Sequence, residues 1–464
     1  MPRTLLLLLL LSASRLMSAT WSTGSPSTTN NDDSCDISVA PAATLLLPYF
    51  EVDVGGKPET ARTTVISVIN VSPLPQIARV TVWTDWAYPV ITFSIVLTGY
   101  DVEAVDLRDM IMRGVIPTRV DARGPMSLGN FGNPNHAATV AQDCGRRMPH
   151  VPVGVLNDIR ALLTRGKSSG AALSCPVAEG EAQLGGDHGP ATAAGYVTID
   201  VVATCAPTLP TSTSYYTSEL LFDNVLTGDY VSVRPSGAMN GYAGGSPLVH
   251  IRAVPEGGPA GSIVNTRLPF TFYDRFTPMD ATMSHTIDRR QPLPSVFAAR
   301  WISGTKSDFQ TTYVIWREAV TAGTAACGDY VQNSAMPAAE IVRFDEHENA
   351  STNIATFSSA TANAAIQSTT FPAIVSQDAG GWLYMNLNNG GSQRYSASRA
   401  GYGAGIVRAT AYPRNVSQNW VTVNLFAEDR YGVNYDAAWL SNGCTPAAVS
   451  TKRQRIGLTG KSNP

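Results

Sequence analysis

The run from Arg62 to Leu107, RTTVISVINVSPLPQIARVTVWTDWAYPVITFSIVLTGYDVEAVDL, constrains the fold more than any other part of the chain. It holds four short apolar-rich runs: Thr64 to Ile69, Ala78 to Trp83, Ile91 to Leu97 and Val102 to Leu107. Turn-forming residues separate them at Asn70 to Pro75, Asp85 to Pro89 and Thr98 to Asp101. In the third run Ile91, Phe93, Ile95 and Leu97 alternate with Thr92 and Ser94, the period of a strand with one buried face. Short runs at this spacing predict antiparallel strands of a β-sandwich.

At 464 residues the chain is too long for one hydrophobic core, and two or three domains are expected. Hydrophobic residues at 44% against 15% charged, with 39 Gly and 30 Pro, fit a loop-rich all-β protein. A net charge of -3 gives no electrostatic reason for binding nucleic acid or an anionic membrane.

Arg3, the unbroken apolar run Leu5 to Leu11 and Met17-Ser18-Ala19 predict a secretory signal over residues 1–19, followed by a polar linker over 20–35. No later window of 18 apolar residues exists, so no transmembrane segment is expected after signal removal. The expected location is secreted, periplasmic or at the cell surface. Six cysteines, Cys35, Cys144, Cys175, Cys205, Cys327 and Cys444, predict three disulfides in an exported chain. Their spacings of 109, 31, 30, 122 and 117 contain no C-x-x-C, which disfavours a thiolate metal site. Fifteen pairings are open. The arrangement that closes each half on itself joins Cys175 to Cys205, Cys35 to Cys144 and Cys327 to Cys444.

Along the chain, Thr44 to Val52 reads as a first strand ahead of the four runs. Residues 108–194 then read as an insertion crowned by one helix, Val153 to Arg165, with Val155, Ile159, Leu162 and Leu163 as its apolar stripe and Gly166 as its stop. Strands follow at Gly195 to Cys205, Glu219 to Phe222, Tyr230 to Val233 and Leu248 to Ala253. The first domain is thus 36–255, a connector runs over 256–295, the second domain is 296–445 and a polar tail is 446–464. Second-domain strands are expected at Phe297 to Ile302, Thr311 to Arg317, Glu340 to Phe344, Trp382 to Leu387, Gly405 to Ala411 and Trp420 to Ala427. Three segments echo the first half in order: Thr311-Thr312 after Thr63-Thr64, Ala339 to Asp345 after Ala78 to Asp85, and Asn419 to Ala427 after Gly195 to Ala203. An internal repeat is expected from them.

No motif commits the chain to a reaction. Gly166-Lys167-Ser168-Ser169-Gly170 matches G-x-S-x-G but follows a helix instead of a strand, so it reads as a helix exit. Asp345, Glu346 and Glu348 gather carboxylates beside His347 after a strand; Ca²⁺ is the ion such oxygens would hold, though consecutive residues point in alternate directions and no cofactor is otherwise expected. Arg289 or Arg290 is expected to pair with Asp274 or Asp288, fastening the connector. His250 and Arg252 are expected on the polar face of a strand. Aromatic residues give the better lead. Trp83, Trp86 and Tyr88 surround Asp85, a grouping that can stack on sugar rings or anchor a protein interface, while Trp83 and Trp316 on strands also suit a core. Asn70-Val71-Ser72, Asn349-Ala350-Ser351 and Asn415-Val416-Ser417 fit the glycan-acceptor pattern.

With its order of Pro48-Tyr49-Phe50, then TTVISVIN, then Tyr100-Asp101-Val102, the chain resembles a loose group of exported bacterial proteins of unassigned function. The resemblance covers residues 45–107, with LVHIRAVPEGG and DRRQPLPSVFAARWI as further shared segments. It implies export and an N-terminal immunoglobulin-like sandwich, and it carries over no site. The expectation is an all-β protein of two immunoglobulin-like sandwiches that binds a protein or glycan at the cell surface, or associates with itself, without catalysis. An extracellular hydrolase of polysaccharide or protein is the alternative, with Asp274, His285, Asp288 or Asp345 as acid and base.

Overall fold

Among the described residues of the computed structural model, alternation of β-branched and polar residues becomes nine sheet strands in each half, with a ribbon of two-residue strands besides in the first. The structure describes residues 40–116, 151, 153–168, 182–205, 210, 215, 219–236, 239–253, 290, 293–294, 296–302, 309–317, 336–357, 361–365, 379–387, 419–427 and 431–441. The first half contains β1 (Thr44–Asp53), β2 (Thr63–Asn70), β3 (Gln76–Thr84), β4 (Pro89–Leu97), β5 (Val102–Asp106), helices α1 (Leu107–Arg113) and α2 (Val153–Arg165), and the two-residue strands β6 (Lys167–Ser168) and β7 (Ala182–Gln183). It continues with β8 (Thr192–Val202), β9 (Leu226–Ser236), β10 (Met239–Pro247) and β11 (Val249–Ile251). The second half contains β12 (Val296–Ile302), β13 (Phe309–Arg317), β14 (Met336–Asp345), β15 (Ala350–Phe357), β16 (Thr361–Ala365), β17 (Gly380–Asn386), β18 (Asn419–Ala427), β19 (Tyr431–Asp436) and β20 (Ala438–Ser441). The fold is all-β, every ladder antiparallel. Among the described residues no helix is long and apolar enough to cross a membrane.

Each half builds one five-stranded and one four-stranded sheet. The five-stranded sheets run β11-β1-β8-β3-β4 and β20-β12-β17-β14-β15. The four-stranded sheets run β10-β9-β2-β5 and β19-β18-β13-β16. Replacing β1–β5 and β8–β11 by β12–β20 in sequence converts one half's order into the other's. The ribbon β6–β7 and helix α2 belong to the first half's 108–194 segment.

Local details follow the same correspondence. Gly195 faces the carbonyl of Trp83, where a Cβ would stand 2.1 Å from the oxygen, and Gly381 faces that of Phe344, at 2.0 Å. Beside these glycines Trp83 stacks on Tyr196 (centroids 5.7 Å apart, planes 3° apart), and Phe344 stacks on Trp382 (3.9 Å, 9°). Of the sequence echoes, β2 with β13 and β3 with β14 fall on corresponding strands. Asn419 to Ala427 is β18, in a four-stranded sheet, whereas Gly195 to Ala203 covers β8, in the middle of a five-stranded one; β8 corresponds to β17. Val and Thr recur in both because both strands are buried, so composition misleads here.

Strand β2 shows the alternation read from the sequence, with Thr64, Ile66, Val68 and Asn70 buried and the residues between them half-exposed. Strand β3 is buried at every position. The difference is layering: β1 touches β2 and β9 on one side and β13, β16 and β18 on the other, so the first five-stranded sheet is covered on both faces. The layers run from the first four-stranded sheet through the first five-stranded and second four-stranded to the second five-stranded. One core, with Leu45, Ile66, Val80 and Ile199, fills the first half. The other joins Leu46, Trp83, Tyr196 and Val249 of the first half to Phe297, Ile315, Trp316 and Val421 of the second, so the halves share an interior. Trp316 meets Tyr196 edge-on at 5.7 Å. Edge strands β10 and β19 also run beside each other.

Several charged and polar groups inside this shared layer are paired. Asp200 accepts from Thr44 Oγ1 and Tyr215 OH, each at 2.5 Å, and its Oδ1 stands 3.3 Å from an amino nitrogen of Arg290. All of Thr44, Asp200 and Arg290 are fully buried. Arg79 donates to Ser94 Oγ and the Thr204 carbonyl and faces Glu219 at 3.5 Å. Such charges tolerate burial only with partners in place. Arg290 is thus fastened to the sheet through Asp200; Asp274, His285, Asp288 and Arg289, expected to act around it, lie outside the described residues.

Other expectations meet the structure unevenly. Helix Val153–Arg165 has the bounds read from its stripe, and Leu156, Ile159, Leu162 and Leu163 enter the first core. Glu219 to Phe222 is no strand but an isolated bridge from Leu220 to Val202. Gly405 to Ala411 lies outside the described residues, as do Cys35, Cys144, Cys175, Cys327 and Cys444. Cys205 is buried and disulfide-bonded.

Candidate functional site

Four of the residues singled out in the sequence sit at the β3–β4 turn. Thr84 N donates to Tyr88 O and Ala87 N to Thr84 O, each at 2.9 Å, and Ala87 takes the left-handed conformation (φ 62°) that closes the turn. Trp83 is fully buried, donating from Nε1 to Thr198 Oγ1 at 2.9 Å; Tyr88 is buried in the first core, and Trp86 is half-buried against it. A strap from the end of α2 lies over this turn. Gly166 ends the helix at φ 65°, and its carbonyl accepts from Leu184 N and Gly185 N. The Leu184 carbonyl in turn accepts from Thr84 Oγ1 at 2.7 Å. Gly186 N donates to Asp85 Oδ1 at 2.8 Å, and a side chain at Gly186 would strike that carboxylate at 2.6 Å.

The strap delivers His188, a residue that sequence reasoning passed over. Its Nε2 stands 3.2 Å from Asp85 Oδ2, close enough for an ion pair although the N–H direction misses the hydrogen-bond line. Its side chain is 27% exposed and that of Asp85 5%, so the pair opens to solvent from the histidine side. Burial alone would lower the imidazole pKa; the Asp85 carboxylate, aided by Glu51 and Asp187, offsets that and leaves it raised. Next to it, Arg62 links Glu51 (2.8 Å) and Asp53 (2.8 Å), donates to Thr192 Oγ1, and is held above its ordinary pKa: burial pulls down, Asp53 and Glu51 push up further. Tyr49 OH donates to Glu51 Oε1 at 2.5 Å. The end of the first five-stranded sheet therefore carries charges of both signs together with the aromatic side chains of Tyr49 and Trp86. Among the described residues no hydroxyl or thiol is hydrogen-bonded to His188. The only sequence signal for His188 was a Gly-rich turn, Gly185 to Gly189, which names no role.

Asp345, Glu346 and Glu348 occupy the corresponding turn of the second half, β14–β15. Asp345 N donates to Asn349 O (3.2 Å) and Glu348 N to Asp345 O (3.1 Å), and Glu348 is left-handed at φ 64°, matching Ala87. The Asp345 carboxylate accepts from Asn349 Nδ2, Asn349 N and His347 N, each at 2.8 Å. Those bonds, that of the Asn349 side chain first, lower its pKa. Glu346, His347 and Glu348 are exposed around it. Among the described residues no three His, Cys, Asp or Glu side chains gather as an ion site.

Two further expectations are corrected. His250 is 1% exposed and its Nε2 accepts from Gly228 N at 3.1 Å, so it faces the interior with its proton on Nδ1 instead of sharing an outer polar face with Arg252. Its register partner Leu45 is a core residue, which explains the inward direction. Asn70 is fully buried, with its side-chain nitrogen donating to the Leu74 and Thr98 carbonyls, so it is closed to a glycan. Ser168 of the G-x-S-x-G match lies in the β6–β7 ribbon, opposite Ala182.

One groove opens on the outer face of the first four-stranded sheet. It encloses about 510 Å³ between Ile69, Thr227, Asp229, Val231 and Pro247. No protein-family model, curated protein or solved structure matches the chain.

Proposed function

We propose that the chain is an exported binding or structural protein of the cell surface, built from two immunoglobulin-like sandwiches that are copies of one unit. One observation carries the reading: both halves have the same order of nine strands in two sheets, with the same glycine against the same carbonyl and the same aromatic stack. Duplicated, face-stacked sheets with a shared interior make a rigid body that offers turns and sheet faces to partners. The first half offers the Trp86–His188 end and the open groove; a protein or glycan partner suits aromatic side chains beside charges of both signs.

The hydrolase reading draws on the His188–Asp85 pair, an imidazole–carboxylate contact that opens to solvent. General-base chemistry needs a nucleophile held on the far side of the imidazole, and among the described residues no hydroxyl or thiol is hydrogen-bonded to His188. Binding is therefore preferred.

Labelling intact cells of the source with a membrane-impermeant amine reagent, then cross-linking and identifying the attached molecules, tests the proposal. Surface labelling with a cross-linked protein or glycan supports it. A chain that labels only after lysis sinks it, and so does hydrolysis of an extracellular polymer that is abolished by His188→Gln.

A further inference from the structure

We infer that the molecule stacks head to tail on copies of itself, the open face of its first four-stranded sheet docking on the Trp382 end of the second five-stranded sheet of the next copy. This rests on the reading of the halves as two copies of one unit, and the molecule's own interior supplies the template. Within one chain the five-stranded sheet of the first half receives the four-stranded sheet of the second, and Trp316 meets the Trp83–Tyr196 stack. That contact joins two unlike surfaces of the unit. A contact between unlike surfaces leaves one of each unused at the two ends, and repeating it builds an open stack instead of a closed dimer.

The unused surfaces can be located residue by residue. Thr64 Oγ1 donates to the Glu51 carbonyl on β1 at 3.3 Å, and Thr311 Oγ1 donates to the Ile302 carbonyl on β12 at 3.3 Å. Thr64 therefore corresponds to Thr311, one residue out of step with the sequence echo, and counting forward Ile69 corresponds to Trp316. Trp316 is buried in the internal contact, whereas Ile69 lines the open groove. On the receiving side Tyr196 corresponds to Trp382, since each stacks on the aromatic residue that ends the neighbouring strand. Tyr196 is covered by Trp316; Trp382 is half-buried.

Charge agrees with this pairing. Asp229 is exposed at the groove, and Arg300, the register partner of Trp382, is exposed on the receiving face. Val296, Val342, Phe344, Tyr384 and Asn386 share that face and are already buried, so docking is confined to Trp382, Ala298 and Arg300. Opposite charges beside an apolar contact set register and make association salt-dependent.

Sedimentation velocity of the purified full chain, over roughly a hundredfold range of concentration chosen for a contact smaller than a standard interface, tests the stack. Wild type is expected to give species that keep growing with concentration and shrink with added salt. Asp229→Arg blocks the groove, and Trp382→Ala, or Ala298→Arg should the first variant fail to melt cooperatively, blocks the receiving face. Each variant alone is expected to be monomeric, with at least a tenfold loss of affinity. Mixed one to one, they keep one good surface each and should form a dimer that grows no further. A monomeric wild type, a closed wild-type dimer, a variant that still polymerises, or a mixture that stays monomeric overturns the inference. Because this assay needs no cell, a monomeric protein that is nevertheless cross-linked at the surface would fail here while leaving the surface-binding proposal standing.

Discussion

Trp316→Ala asks whether the two halves fold as one body. Trp316 is 1% exposed on β13, its ring edge-on to Tyr196 at 5.7 Å, inside the core that draws residues from both halves. Truncating a buried Trp costs about 3–5 kcal/mol through lost transfer energy and the cavity left behind. The aromatic pair accounts for about 1 kcal/mol of that, which a double-mutant cycle with Tyr196→Ala isolates. Because the stack Trp316 touches belongs to the first half, the loss should be felt by both halves. Wild type is expected to melt in a single calorimetric transition, and the variant in one transition at lower temperature, or in two once the shared layer is weakened. Near-ultraviolet circular dichroism follows the Trp environment through the same scan. Two separate wild-type transitions, with Trp316→Ala moving only the later one, would refute the shared interior and restore two independent domains joined by a connector.

Gly195→Ala and Gly381→Ala should each cost at least about 2 kcal/mol in urea unfolding, because the new methyl meets a carbonyl oxygen that only backbone movement can relieve. Gly154→Ala on α2, with open space around it, is the control and should be neutral or stabilising by up to about 1 kcal/mol; a tolerated Gly381→Ala would break the correspondence between halves. Asp436 is raised to about 6, by burial first and against hydrogen bonds from Trp420 and Thr422. Since its folded pKa exceeds the ordinary 3.8, its contribution is most favourable below pH 4 and is lost as pH rises through 6. Asp436→Asn should therefore stabilise at pH 8 by up to about 3 kcal/mol, less where water reaches the half-buried carboxylate, and by nothing near pH 4; equal effects at both pH values refute this. His188 also has a raised folded pKa, so its pairing with Asp85 stabilises fully below pH 6.5 and fades as pH climbs through the folded value. Asp85→Asn should lower the imidazole pKa seen by NMR titration, and an unchanged titration would remove Asp85 as its cause.

Sequence reading worked where one face of a strand meets water. Strand β2 keeps its alternation because the groove side is open, and helix α2 keeps its stripe because one side is solvated. The signal vanishes where both faces are covered: β3 is buried throughout, and its polar Arg79 and Thr81 lie in the layer shared with the second half instead of facing water. Among the unforeseen strands, β10 and β16 have little β-branched character, with Gly, Ala and Asn prominent, and are defined by the neighbours they pair with. Partners distant in sequence, such as Arg290 with Asp200 or His188 with Asp85, leave no local pattern at all.

The two turns singled out for different chemistry, Trp83 to Tyr88 for stacking and Asp345 to Glu348 for an ion, are one turn in two settings. Both close with the same pair of backbone bonds and a left-handed fourth residue, and both follow an aromatic residue stacked on the neighbouring strand. Their side chains differ because their surroundings do. In the second half the turn is exposed, so Asp345 can spend its carboxylate on the turn's own amides. In the first half the strap after α2 lies over it, and Asp85 reaches outward to Gly186 and His188. On the proposed surface-binding reading, a partner at the first turn would meet the turn together with the strap. Removing the Asp85–His188 contact should alter binding there while the uncovered second turn stays as it is, and a partner that survives Asp85→Asn but is lost on Asp345→Asn would place the site at the other end of the molecule.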